Sequence, residues 1–584
     1  MVYIDIIVMI TKKYNKVVTG VISPLLFPLS FLLFPLSSLL LSGCSDFLDI
    51  LPMNSTVLEN YWKEKADVTS AVNGCYAALA SEDVVTRMGV WGELRSENVV
   101  AGTNVPNNLN EMLKENLLPT NEMCTWACFY NVINLCNIVC HYAPEVESID
   151  PNYTSNELKG NIAEMKTLRA LCYFYLIRTF RDVPYVTEPS IDDSQNYVVP
   201  ATPFEAVLDS LITDLESVKD DAQRRFSLEK VEGKSIYVPA ENNSRITRWA
   251  IYSLLADFYL WKGDWNNVIK YCDLVINYKA QQYKELLKTD QITDIDLYDG
   301  IPLILEAIRG EQNVGHAYTS VFGDGNSFES IFELYYNGSN GQENTWVSSY
   351  YGNRNNSIGR LKAADFLMDG FTAGNNQLWL TQKDCRAYEY LESEGTSYAI
   401  MKYAREKADF NLQRTGSVTV TGDRRTSSNS NWIFYRLSDI MLMKAEALIQ
   451  LGEEYWPEAF KLINNVYKRA NNIAPESTTG SLAYETYSTS KEKMEDLLFE
   501  ERHREFLFEG KRWFDLVRLA RRDGKTERLA SCAIRKYRQD INVIKIKLTD
   551  PNYIYFPYAK SELKANPLLK QNPAFDKGEE GVLR

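Results

Sequence analysis

The chain has 584 residues, 45% hydrophobic and 24% charged, enough to bury several hundred residues in more than one domain or subdomain. Its formal charge of −14 repels polyanions and no basic patch interrupts it, which argues against nucleic-acid binding. Only three histidines occur, His141, His316 and His503, far apart in sequence, so histidine-based catalysis or metal binding is poorly supplied.

At the N-terminus, Lys12, Lys13 and Lys16 precede SPLLFPLSFLLFPLSSLLLSGC, from Ser23 to Cys44. That is the order of a secretory signal: positive residues, an apolar run, then small residues at a cleavage point. An apolar stretch of about 20 residues would just span a bilayer, but Pro24, Pro28 and Pro35 and the abrupt Gly43-Cys44 ending oppose a transmembrane helix. Leu41-Ser42-Gly43-Cys44 resembles the bacterial lipobox, so residues 1–43 are expected to be a lipoprotein signal peptide and Cys44 the lipidated first residue of the mature chain. Setting aside three lysines and Asp5 with the leader makes the charge −16, which mildly favours a neutral ligand. No second long apolar segment is read, so the body is expected to be soluble and held only at its first residue.

The body is mostly helical by period, with helices predicted over 59–81, 123–143, 157–181, 203–222, 245–261, 265–278, 432–451, 455–471 and 491–521. Cys124, Cys128, Cys136 and Cys140 fall at spacings of four, eight and four on one drifting helical stripe. A single helix cannot wrap a tetrahedral zinc, whose ligands prefer short gaps around a turn; core filling is expected, with a disulfide to another segment as the alternative. Two stretches pair helices across a glycine-containing turn followed by an aromatic: Ala250 to Tyr259, then Gly263-Asp264-Trp265; and Ala445 to Leu451, then Gly452 and Trp456. Both look like tetratricopeptide helix-turn-helix units, widely separated, and predict an interrupted solenoid. The interruption, about 279–430, is rich in Gly, Asn, Ser and Tyr; long loops of this composition that carry aromatics favour function over disorder.

Two constellations have residue types that could carry chemistry. In FEERHREFLFEGKRWFDLVRLARR, Phe499 to Arg522, Glu501, Glu505 and Glu509 lie one turn apart among Arg502, Arg504, Lys511, Arg512 and Arg518. Glutamates on one helix surface do not straddle a glycosidic bond, and the cations lower their pKa values, so a structural helix tied by ion pairs is expected. Asp294, Asp296 and Asp299 before Gly300 have calcium-loop chemistry but lack the distal glutamate, so a structural Ca2+ is the weaker alternative to a solvated acidic turn. No P-loop, dinucleotide fingerprint, G-x-S-x-G or H-E-x-x-H motif occurs, and no enzyme activity or cofactor is expected.

Together, CSDFLDILP after the lipobox, NGCYAAL from Asn73, AEMKTLRALCYFYLIRTFRDVPY from Ala163, FELYYN from Phe332, NWIFYRLSDIMLMKAEAL from Asn431, FEERHREFLFEGKRWFDLVRL from Phe499 and NPLLKQNPAF from Asn566 resemble the SusD/RagB family of Bacteroidota outer-membrane lipoproteins. The resemblance covers nearly the whole mature chain, 44–584. It divides into an N-terminal part (44–280), a loop-rich insertion (281–430) and a C-terminal part (431–584). It implies a mostly α fold, a tetratricopeptide-like helix-pair scaffold with an irregular ligand-binding part. It also implies a surface-exposed, lipid-anchored outer-membrane protein that binds oligosaccharides, or in some members peptides, and acts as a lid on a SusC-like TonB-dependent transporter. A lipoprotein hydrolase and a protein-binding solenoid scaffold are the rival functions. Sugar sites combine aromatic platforms with planar polar groups. The expected ligand residues are therefore Trp346, Tyr350 and Tyr351 as stacking surfaces, with Asn353, Arg354, Arg95 and Asn104 as hydrogen-bonding partners. Trp126, Trp249, Trp261, Trp432 and Trp513 read as core.

Overall fold

Each predicted helix pair is bounded by local signals that the backbone obeys. Thr154 forms a capping box with Glu157 at the start of one helix, and Thr247 and Asp264 cap two others through side-chain oxygens. Gly263, at φ 78, supplies the left-handed residue that ends the Arg248–Lys262 helix and lets the next begin at Trp265. The computed structural model describes residues 61–191, 198–226, 228–231, 234–237, 242–288, 294–339, 341–412 and 418–576; the leader and Cys44 lie outside them. All belong to one unit, which begins at Tyr61.

The principal helices are α1 (Lys65–Leu79), α2 (Glu82–Glu93), α3 (Ala127–Ile149), α4 (Ser155–Phe180), α5 (Phe204–Val218), α6 (Arg248–Lys262), α7 (Trp265–Leu287), α8 (Leu437–Leu451), α9 (Trp456–Ala470), α10 (Lys491–Phe506) and α11 (Arg512–Asp523). The mostly α class is as expected. From α3 to α9 each helix packs on the next in sequence, α5 on both α4 and α6, and α7 lies directly on α8 although about 150 residues separate them. The solenoid is interrupted in sequence but closed in space. The strands are β1 (Val99–Ala101), β2 (Ser330–Leu334), β3 (Leu361–Ala363), β4 (Leu391–Glu394), β5 (Ser397–Ile400) and β6 (Trp432–Arg436). They form a four-stranded sheet, β1-β3-β5-β4, and an antiparallel pair, β6-β2.

The sequence reading departs from this fold in several places, and shorter helices such as Asn107–Leu113 and Ile541–Leu548 also lie outside its predicted ranges. α2 was not predicted. Residues 432–436, taken as helix, are a strand whose partner is β2, about 100 residues away. The helix expected over 491–521 breaks at Leu507–Lys511, where Phe508 (φ 63) and Gly510 (φ 66) turn left-handed. Finally, Glu122–Ile149 is long and apolar enough to pass for a membrane span, against the expectation of no second such segment; half of its most apolar stretch is buried inside the protein. The cysteines behave as expected: Cys124 and Cys136 are buried, Cys128 and Cys140 half-buried, and the nine described cysteines are free thiols.

The break between α10 and α11 is where α2 crosses the scaffold. Gly92 meets Gly510 so closely that a Cβ on Gly92 would sit 1.7 Å from the Gly510 carbonyl oxygen. Backbone on backbone cannot yield as a flexible side chain would, so Gly92→Ala should cost at least the ~1–3 kcal/mol of an overpacked core, read as a lower urea midpoint.

Candidate functional site

The two segments singled out for ligand binding run side by side. β1 pairs antiparallel with β3, Val99 opposite Ala363 and Ala101 opposite Leu361. The ladder continues past the sheet, Gly102 N–H to Arg360 O at 2.9 Å and Thr103 N–H to Gly359 O at 2.8 Å. Asn104, at φ 52, turns the chain outward and is exposed. Beside it the 353–356 turn is closed by Asn353, whose side-chain oxygen accepts from the Asn355 and Asn356 N–H groups at 2.9 and 3.0 Å. Arg354 projects from that turn into solvent, with Asp423 as a distant partner at 3.9 Å. The ladder thus joins the two segments that carry Asn104, Asn353 and Arg354, a polar edge on which Asn104 and Arg354 are exposed.

Four other expected ligand residues are interior, and this corrects the sequence assignment. Trp346 is 1% exposed, Tyr350 2% and Tyr351 0%. The Trp346 indole stacks on Tyr350 at 4.0 Å, meets Tyr351 and Trp432 edge-on, and presses on Gly89 of α2. Tyr351 donates its hydroxyl to Phe508 O at 2.8 Å. These rings fasten the loop to the scaffold and offer no face to a sugar. Arg95 is also buried. It pairs with Glu115 at 2.8 Å, donates to the Tyr553 and Ile554 carbonyls at 2.9 Å each, and lies 4.3 Å over the Trp513 ring. It ties the end of α2 to the C-terminal segment. Trp261, read as core, is half-buried, as is Trp265; the only signal for either was the Gly263-Asp264-Trp265 turn, which places both indoles near a helix end.

The carboxylate stripe on α10 is interior. Glu505 receives Arg386, Arg436 and Arg469 at 2.9, 2.5 and 2.5 Å, and Glu509 receives Lys402 and Arg436 at 2.6 and 2.7 Å. The guanidiniums hold Glu505 well below the usual carboxylate range against the opposing effect of burial, and Glu509 at about 2. No substrate reaches these groups. Among the described residues, Glu306, Cys385 and Glu389 have the makings of a cation site, their ligand atoms lying within 4.8 Å of one another. Burial, above all, raises Glu306 strongly and Glu389 to about 7, which disfavours the charged forms a cation needs, and Arg469 stands 3.8 Å from Glu306. The calcium-loop residues do not converge: Asp294 bonds His316 at 2.7 Å, Asp296 bonds Arg309 at 2.8 Å, and Asp299-Gly300 is the turn of a hairpin, Ile295–Tyr298 with Ile301–Ile304.

Residues 308–575 match the SusD family model. SusD-like protein P38 of Formosa agariphila is 24% identical over 82% of this chain and 88% of its own length, and SusD-like protein P25 of the same organism is 23% identical over 92% and 96%. The chain is thus similar to SusD-like proteins over most of its length, and its 308–575 part matches the SusD family. Solved structures establish the same fold. A SusD superfamily protein of Bacteroides thetaiotaomicron superposes with a TM-score of 0.63 at 21% identity, covering 88% of this chain and 99% of its own. A candidate sugar-binding protein of Bacteroides vulgatus gives 0.59 at 19%, covering 88% and 99%. SusD-like proteins are nutrient-binding proteins, generally associated with the outer membrane.

In this SusD-like chain, Glu505→Gln would strand buried guanidiniums and should cost about 3–5 kcal/mol, measured by denaturant unfolding. The depressed carboxylates contribute stability that is complete above the unfolded value of 4.5 and lost as pH falls toward 2. Glu93, Glu333 and Glu389, each raised to about 7 chiefly by burial, act in the opposite sense, losing stability as pH rises from 4.5 through 7. Thermal melts should therefore hold or rise from pH 7 to 4.5 and fall steeply below.

Proposed function

We propose that this chain is a cell-surface, glycan-binding lipoprotein that captures oligosaccharide at the Asn104–Asn353–Arg354 edge and hands it to a SusC-like TonB-dependent transporter. The carrying observation is the edge itself, where two segments more than 250 residues apart in sequence are joined by ladder hydrogen bonds and turn amide and guanidinium groups outward. Planar polar groups of this kind pair with vicinal hydroxyls, and their fixed backbone reduces the ordering cost of binding. The protein is a binder and not a hydrolase: the closely spaced carboxylates of α10 are sealed in ion pairs. The lipobox at Cys44 supports lipid anchoring at the outer membrane. A diacylglycerol with an added acyl chain holds firmly, since each buried methylene contributes about 0.8 kcal/mol.

With a panel of neutral oligosaccharides, the purified protein should retain at least one and release no shorter product. Asn104→Ala combined with Arg354→Ala should weaken that binding tenfold or more; unchanged affinity would remove the edge from the site, and retention of peptides alone would replace glycan by peptide. Trp346→Ala should cost about 3–5 kcal/mol of stability and act on binding only through the fold. Cys44→Ala should move the protein from the membrane to the soluble fraction in cells lacking the transporter, and persistence at the membrane would refute lipid anchoring.

A further inference from the structure

The chain has eleven tryptophans, all within the described residues; nine are buried, and the two that are not, Trp261 and Trp265, line one cleft. The cleft has a volume of about 740 Å3 and lies between α5, the α6–α7 turn, the end of α11 and the 551–555 segment. It shares no residue with the polar edge. Trp261 closes α6 and Trp265 opens α7, with Gly263 turning the chain between them. The back wall is fixed. Phe204 packs against Trp261 at 5.7 Å, and the Arg521 guanidinium lies 3.8 Å over the Phe204 ring while donating to the Tyr555 hydroxyl at 2.7 Å.

Most of the charges around the indoles are paired, the exposed Lys525 being the exception. Lys262 meets Asp209 at 2.7 Å, Arg181 meets Asp182 at 2.9 Å, Arg522 meets Asp523 at 2.7 Å and Arg521 meets Glu205. Arg181 also donates to the Asn552 side-chain oxygen at 2.9 Å. The walls therefore carry many directional hydrogen-bonding groups with little net charge. A large aromatic side chain that is only half-buried forgoes part of the roughly 1.5–3 kcal/mol of full burial, and this chain does so at two nearby tryptophans while burying the other nine. A cleft of this volume is within the ordinary range for small-molecule sites. Indole faces match the C–H face of a pyranose, and carboxylate, amide and guanidinium groups match its hydroxyls.

We infer that this cleft is a second saccharide-binding site, built on the helix-pair scaffold and taking a short neutral oligosaccharide against Trp261 and Trp265. Neutrality follows from the pairing of most wall cations, since an anionic sugar would have to compete with Asp209 and Glu205 for Lys262 and Arg521 and would find only Lys525 without such a partner. The site does not depend on the edge binding anything.

Acrylamide quenching of tryptophan fluorescence in the purified full chain tests it, because the quencher reaches chiefly the two half-buried indoles. A panel of neutral gluco-, xylo-, manno- and galacto-oligosaccharides, with oligogalacturonate as the anionic arm, should contain at least one neutral member that protects them. Trp265→Ala should weaken that binding tenfold or more, and Trp265→Phe, which keeps a ring at the same place, should stay within a few-fold of the wild type. Protection by oligogalacturonate alone would overturn the neutral assignment. Failure of every sugar to protect the indoles would overturn the site. If a sugar is retained while the indoles remain open to acrylamide, the edge proposal stands and the cleft proposal falls.

Discussion

The carboxylate of Glu505 is where this structure is most constrained. Three guanidiniums, from Arg386, Arg436 and Arg469, converge on it in the interior, and Lys402 donates to its backbone carbonyl at 2.7 Å. Taking such ions out of water costs several kcal/mol each, and only near-complete hydrogen bonding recovers it. The network is correspondingly well connected. Glu501 receives Arg386 and Arg504 at 2.8 Å each, Arg386 also takes Asp384 at 2.7 Å, and Arg504 donates to Leu378 O at 2.8 Å. Its members come from α9, α10, the end of β6 and the 378–402 stretch of the insertion. The loop-rich part is thereby bound to the helical scaffold at fixed positions.

This constraint bears on function through rigidity. β3 and β5, which follow the exposed 353–356 turn, belong to the same sheet as β1, and the chain leaves β5 directly for Lys402. Trp346 and Tyr351 secure the near side of the turn against Gly89 and Phe508. A polar edge held from both sides can present amide and guanidinium groups with little ordering on binding. In the cleft the equivalent rigidity comes from helix ends and from the Phe204–Arg521 stack, so each proposed surface sits on backbone that the core has already fixed.

The aromatic loop shows how local signals mislead. Trp346, Tyr350 and Tyr351 sit in a stretch whose glycines and asparagines indicate a surface loop, but the backbone there is a short π-helical turn, Val347–Tyr351, with Trp346 at its start. Their rings turn inward because α2, which the periodicity did not reveal, offers a glycine against which an indole fits. Trp261 went the other way. Its helical context suggested core, and it does pack on Phe174 and Phe204, but in the last turn of α6 it stays half-buried and lines the cleft. Arg95 carried the chemistry of a ligand residue and became a staple because Glu115 and two C-terminal carbonyls meet it in the interior.

The helix pairs, their turns, the placement of Glu501 and Glu505 one turn apart among cations, and the family resemblance are legible in the sequence, because each is written in residues close together along the chain; Glu509 falls past the break at Leu507. Only the tertiary structure decided which carboxylate meets which arginine, which tryptophans keep a face to solvent, and that 99–104 lies against 359–363. Those outcomes depend on partners tens to hundreds of residues away, and whether an aromatic or a charge is buried is a property of what packs on it.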